Sequence, residues 1–198
     1  LADIRYGAGG AGIDLDHVKL VLINKILDVD DPPGAQTQRD CSLIAQIDGW
    51  SKETIGSHTV RNCDIHDCGQ TGIVGHLGGV FSIIEDNHIH HINNMQQLGG
   101  AETAGIKLHA AIDVTMRRNH IHNCIMGIWC DWQAQGTRIS QNLLHDNQKP
   151  DFAKQLPGGM MSQDIFVEVS HGPTLIDNNI LLKVYIVSSS FTCSSNSS

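Results

Sequence analysis

The feature that most constrains this chain is a short pattern, apolar-x-x-Asn-x-Ile-His, that returns along its length. It first reads Val60-Arg61-Asn62-Cys63-Asp64-Ile65-His66, then Ile84-Glu85-Asp86-Asn87-His88-Ile89-His90. Met116-Arg117-Arg118-Asn119-His120-Ile121-His122 and Ile139-Ser140-Gln141-Asn142-Leu143-Leu144-His145 follow. A shorter copy, aligned on Leu175, Asn178 and Ile180, closes the series. The anchor positions 63, 87, 119, 142 and 178 lie 24, 32, 23 and 36 residues apart. A base period near 23 with two insertions accounts for all four intervals.

Self-similarity at about 20 to 50 residues is the mark of a solenoid. The units are rich in β-branched residues and show no 3.6-residue periodicity, which favours strands over helices. Asn at a fixed turn position tolerates turn conformations and, when buried in register, can hydrogen-bond from coil to coil. The pattern resembles the repeat of the right-handed parallel β-helix, with Cys63 as the exception in the Asn column. Each anchor is followed by a second strand: Gly72-Ile73-Val74-Gly75-His76, Gly105-Ile106-Lys107-Leu108-His109, Gly127-Ile128-Trp129-Cys130-Asp131 and Asp164-Ile165-Phe166-Val167-Glu168. Alternation puts the second and fourth residues of each toward the core and the third and fifth outward. Gly12-Ile13-Asp14-Leu15-Asp16 fits the same frame. The two insertions, near 93–103 and 148–163, precede this second strand and would wall one face. A further strand is expected at 42–47.

The expected organisation is an all-β, right-handed parallel β-helix over residues 1–182, followed by a Ser-rich tail over 183–198 that cannot bury a core and is expected to be disordered. The chain reads as a fragment of a longer protein, beginning at Leu1 without a signal peptide, so its compartment is not set. A formal net charge of −8 and the lack of a basic stripe argue against a nucleic-acid partner. No apolar run reaches membrane-span length, so no membrane partner is expected. The six cysteines lack paired C-x₂-C spacing, and several fall at core positions, so buried free thiols are expected rather than zinc ligands or disulfides.

The fifth position of the second strand reads His76, His109, Asp131, Glu168 on successive coils. Neighbouring strands are about 4.8 Å apart, so Asp131 and Glu168 should sit side by side. Retaining glycosidases hold two carboxyl groups about 5–5.5 Å apart, one as nucleophile and one as acid/base. Two close carboxylates do not both ionise freely, so one pKa rises. Lys107, one coil from Asp131, favours the ionised form there and makes Asp131 the nucleophile. Glu168, with the longer arm and Phe166 nearby, becomes the protonated acid. Trp129 and Trp132 are candidate sugar platforms, His109 would orient Asp131, and His171 would bond a substrate hydroxyl. Each of these also has a plain structural use in packing or loop bonding. Trp50 is no more than possible cleft lining. A separate column, His66, His90, His122 and His145, invites a metal reading, but a linear ladder at strand spacing is better suited to stacking, and no metal is assigned.

Gly105-Ile106-Lys107, Gly127-Ile128-Trp129-x-Asp131 and Asp164-Ile165-Phe166-x-Glu168-Val169-x-His171-Gly172-Pro173 together resemble glycoside hydrolase family 120, β-xylosidases built on a right-handed β-helix. The resemblance spans roughly residues 2–182. It implies two-step retaining hydrolysis of terminal β-xylosyl residues from xylo-oligosaccharides. Asp131 matches the family's nucleophile, Glu168 its general acid/base and Lys107 its substrate-binding lysine. No metal or organic cofactor is implied. Family members are several times longer and carry a β-sandwich domain with no counterpart legible here. The alternatives are another β-helix polysaccharide enzyme, of polygalacturonase or lyase type, and a non-catalytic glycan-binding β-helix.

Overall fold

The computed structural model describes residues 14–16, 19–21, 27–28, 56–76, 80–97, 103–154, 162–170, 172–182 and 186–189. Among them, three parallel sheets of six strands each surround one core. Every coil gives one strand to each sheet, so strands that touch are a whole coil apart in sequence. The first sheet holds Asp14–Asp16, Thr59–Arg61, Ile83–Glu85, Thr115–Arg117, Thr137–Ser140 and Thr174–Asp177. The second holds Lys19–Val21, Asp64–His66, His88–His90, His120–His122, Leu143–His145 and Ile180–Leu182. The third holds Leu27–Asp28, Ile73–His76, Ala104–His109, Met126–Asp131, Ile165–Glu168 and Ile186–Ser189. One helical turn, Asp151–Lys154, lies in the second insertion. Among the described residues no helix is long and apolar enough to cross a membrane.

Alternation explains the core. Val60, Ile84, Met116 and Ile139 line up along the first sheet, Ile65, Ile89, Ile121 and Leu144 along the second, and Ile73, Ile106, Ile128 and Ile165 along the third. All are buried in a single cluster, and each such side chain contributes about 1.5–3 kcal/mol by leaving water. Cys63, Cys68, Cys124 and Cys130 are buried free thiols, as expected from their repeat positions. Burial pushes the Cys130 thiol up to about 12, so it stays protonated and inert. Cys41 and Cys193 lie outside the described residues.

The Asn column is a ladder. The Asn87 side-chain amide donates to Asn119 Oδ1 at 3.0 Å, Asn119 to Asn142 at 3.0 Å, and Asn142 to Asn179 at 2.9 Å. Each Oδ1 also takes the backbone N–H of the Asn one coil earlier, and Cys63 N–H ends the ladder on Asn87. The residue before each rung, namely Asn62, Asp86, Arg118, Gln141 and Asn178, is left-handed, with φ of +53 to +59°. That residue turns the chain from the first sheet into the second.

This geometry corrects three expectations. In the last coil the rung is Asn179, not Asn178, and Ile176 and Leu181 face the core while Leu175 and Ile180 are exposed. Asn suits both the left-handed turn and the rung, so two adjacent Asn residues left the alignment open by one, and a one-residue slip exchanges the faces. Asp14–Asp16 belongs to the first sheet, where Leu15 pairs with Val60, and Leu27–Asp28 takes the third-sheet place beside Ile73 and Val74. Alternation alone does not tell one outward-facing strand from another; the order of pairing does. Finally, Ile186–Ser189 pairs with Ile165–Glu168, although it falls in the segment expected to be disordered. An open sheet edge accepts backbone hydrogen bonds from any extended segment, Ser-rich or not. The expected strand at 42–47 lies outside the described residues.

Candidate active site on the third sheet

The outer face of the third sheet brings the candidate residues together. Asp131 pairs with Glu168 on one side and with His109 on the other, and His109 pairs in turn with His76. Two positions earlier, Trp129 lies between Lys107 and Phe166. Parallel pairing without offset makes each column a straight row of side chains. Close approach of the backbones keeps it so: a Cβ on Gly127 would lie 2.5 Å from the Asp164 carbonyl and 2.5 Å from Leu144 Cδ2.

Lys107 is fully buried, and its Nζ is 3.0 Å from Asp131 Oδ2. It is also 2.8 Å from His109 Nε2. An ammonium has no lone pair, so Lys107 donates and His109 Nε2 accepts. His109 Nε2, 3.6 Å from Asp131 Oδ2, is therefore a neighbour of the carboxylate and not a donor to it. His109 acts on Asp131 through Lys107. The ammonium also lies 4.0 Å over the Trp129 ring, a favourable cation–π placement.

Asp131 is 6% exposed. Its Oδ2 is engaged by Lys107, while Oδ1 is buried and takes no hydrogen bond from an amide, hydroxyl or ammonium group among the described residues. Glu168 is half-buried, and Oε2 accepts the Trp129 indole N–H at 3.2 Å. Burial, and then the Asp131 charge, push the Glu168 carboxyl above the ordinary glutamate range. The Trp129 N–H and the Lys107 charge pull the other way without cancelling the rise. The pair is thus split: one carboxylate clamped by a buried cation, the other biased toward its proton.

Trp129 differs from its expected part as a sugar platform. It is nearly buried, packs with Ala104, Ile125, Met126 and Phe166, and its ring face is taken by Lys107. The sequence reading missed its bond to Glu168; the third-position register beside Phe166 was the available signal. Trp132 is 37% exposed and meets the His109 ring edge-on at 5.0 Å, so its ring remains open to a ligand. His171 and Trp50 lie outside the described residues. The described parts of the two insertions line a pocket of about 330 Å³, formed by Gln96, Gln148, Lys149, Pro150, Asp151 and Phe152. This pocket contains none of the candidate catalytic residues.

The His66, His90, His122 and His145 column is present on the second sheet, with successive rings stacked at 4.8, 5.1 and 4.8 Å and interplanar angles of 2 to 4°. Burial and the neighbouring rings hold His88, His90 and His122 below the ordinary histidine range and bring His120 to about 4.

Three sheets wound in coils of about one repeat, an Asn ladder and a pair of carboxyl groups on one outer face define a parallel β-helix with a candidate acid/base site. The chain belongs to the right handed beta helix region family, whose model matches residues 40–197. Among solved structures it is similar to a chain described as the complex structure of XylC with xylose, at 40% identity and a TM-score of 0.66. That match covers 90% of this chain and 30% of the XylC chain, so this chain spans under a third of that relative's length. No curated protein matches the chain.

Proposed function

We propose that this chain is the β-helix part of a retaining glycoside hydrolase of the β-xylosidase type, removing terminal β-xylosyl residues from xylo-oligosaccharides. The observation that carries the proposal is the direct pairing of Asp131 with Glu168 on adjacent strands, one held by Lys107 and the other with a raised pKa. Strand spacing of about 4.8 Å matches the short carboxyl separation of retaining enzymes and falls well below the 6.5–9.5 Å of inverting ones. The motifs shared with glycoside hydrolase family 120 and the likeness to the xylose-bound XylC chain support the substrate class.

In this reading Asp131 Oδ1 attacks the anomeric carbon while Glu168 gives its proton to the departing glycosidic oxygen. The C–O bond to the leaving group breaks as the Asp131–sugar ester bond forms. Loss of the leaving group leaves Glu168 ionised and ready to take a proton from water. The hydroxide attacks the same carbon, frees xylose with its β configuration retained and restores both carboxyl groups. Lys107 holds Asp131 in place, and Trp129 aims Glu168. Trp132 offers an exposed ring beside His109 for the sugar face.

The test is hydrolysis of an aryl β-xyloside by the protein carrying this chain and by its Asp131→Ala and Glu168→Ala variants. Both should lose about 10²–10⁴-fold or more in kcat. Azide should rescue Glu168→Ala and yield the β-xylosyl azide. Wild-type rates in both variants, or an unsaturated product that requires Ca²⁺, would defeat the assignment.

A further inference from the structure

The second sheet carries a chemistry that the carboxylate site does not use. Its outward positions repeat as His88-Ile89-His90 and His120-Ile121-His122, flanked by Asp64-Ile65-His66 and Leu143-Leu144-His145. Period-two alternation sends both residues of each pair outward. Unshifted pairing then builds two adjoining rows, one of Asp64, His88, His120 and Leu143, the other of His66, His90, His122 and His145. The second row was legible in the sequence; the first, and its convergence with the second, was not.

Convergence is what a ladder lacks and a metal site needs. The His88 ring leans across its strand, 4.2 Å from His90, 4.9 Å from His120 and 5.1 Å from His122. Its Nε2 is 2.9 Å from His122 Nε2. One ligand nitrogen from each of His88, His120 and His122 lies within 4.8 Å of the others. With metal–nitrogen bonds of about 2.0–2.1 Å, two nitrogens in cis positions of a square or octahedral ion stand about 2.9 Å apart, and in a tetrahedron about 3.3 Å. The observed separation matches the cis pair. Imidazole nitrogens in that geometry suit Cu²⁺ and Ni²⁺. The His88 side chain is 44% exposed, so an ion can reach the site from solvent. Asp64 adds an oxygen at the lower edge: its Oδ1 is 3.2 Å from His90 Nε2 and 3.5 Å from His88 Nδ1. His88 thus shows one nitrogen to each neighbouring group.

We propose that His88, His120 and His122 form a binding site for a divalent transition-metal ion of the Cu²⁺ or Ni²⁺ type on the outer face of the second sheet, separate from the carboxylate pair on the third.

The test uses untagged protein carrying this chain, stripped with EDTA and titrated with CuSO₄ or NiCl₂ by calorimetry. Electron paramagnetic resonance of the Cu²⁺ form counts the bound nitrogens. Saturable binding of one ion with splitting from two or three nitrogens is expected. The His88→Ala/His122→Ala double variant should weaken binding by at least about 100-fold, while His91→Ala should change it by less than about threefold. Far-UV circular dichroism identifies any variant that fails to fold; His122→Gln, which keeps a polar side chain of similar reach, then takes its place and should also lose the high-affinity isotherm. Absence of saturable binding by the parent, binding through fewer than two nitrogens, or unchanged affinity in a folded double variant would overturn the proposal.

Discussion

Truncating Asn119 to alanine measures how much of the coil-to-coil cohesion rests on the Asn ladder. The Asn119 side chain accepts from the Asn87 backbone N–H and from Asn87 Nδ2, and donates to the Ile84 carbonyl and to Asn142 Oδ1. Asn119→Ala removes all four bonds. Two losses are softened, because Asn87 Nδ2 keeps the Val60 carbonyl and Asn142 Oδ1 keeps the Asn119 backbone N–H. The Asn87 N–H loses its acceptor inside a dry core, which alone costs about 1–3 kcal/mol. Adding about 2 kcal/mol for the other three bonds together, two of them softened, gives a total of about 3–5 kcal/mol. For a chain of this size that lowers Tm by about 6–20 °C. Urea unfolding followed by far-UV circular dichroism reads the loss, with an unchanged m-value showing that the native state is otherwise intact. Asn179→Ala, at the partly buried end of the ladder, should cost less than Asn119→Ala and more than Asn178→Ala, whose side chain is exposed. A loss below about 1 kcal/mol for Asn119→Ala, less than the desolvation of one buried N–H, would refute the reasoning. So would a larger cost at Asn178 than at Asn179, which would restore the register expected from the alignment.

Two further predictions concern the candidate site. The Glu168 carboxyl is raised in the fold, so the native state holds a proton that the unfolded chain gives up first, and this contribution to stability falls as pH rises from the ordinary glutamate pKa through the folded one. Glu168→Gln should therefore make the protein more stable near pH 7, with a flatter stability–pH profile above pH 5, while activity on an aryl β-xyloside is lost; a destabilised variant at neutral pH would show that the carboxylate is stabilised in place. Gly127→Ala sets a methyl against the Asp164 carbonyl and Leu144. It should cost about 1–3 kcal/mol by overpacking and lower activity further by displacing the strand that carries Asp131; unchanged Tm and activity would rule out tight packing at this point.

The repeat, its period and the inward and outward faces of every coil but the last were present in the residues, because alternation and a fixed-position Asn are local properties; that each anchor divides into strands of two sheets, giving three strands per coil, was not. The same locality explains the Asp131–Glu168 neighbourhood: once the coil is fixed, residues 37 apart in sequence become strand neighbours. What tertiary structure decided were the choices that local pattern leaves degenerate. Asn178 and Asn179 were equally good rungs until the Ile176 and Leu181 side chains had to reach the core. Asp14–Asp16 alternates as well in one sheet as in another until a partner strand is assigned. Trp129 alternates outward like any surface aromatic, and only the packed third sheet shows its N–H on Glu168 and its face under Lys107. The histidines tell the same story: sequence spacing placed His66, His90, His122 and His145 in one row, but rotamers, which depend on what each ring touches, turned His88 toward His122. Period and face are set along the chain; register and convergence are set across it, by contacts that exist only after the coils have closed.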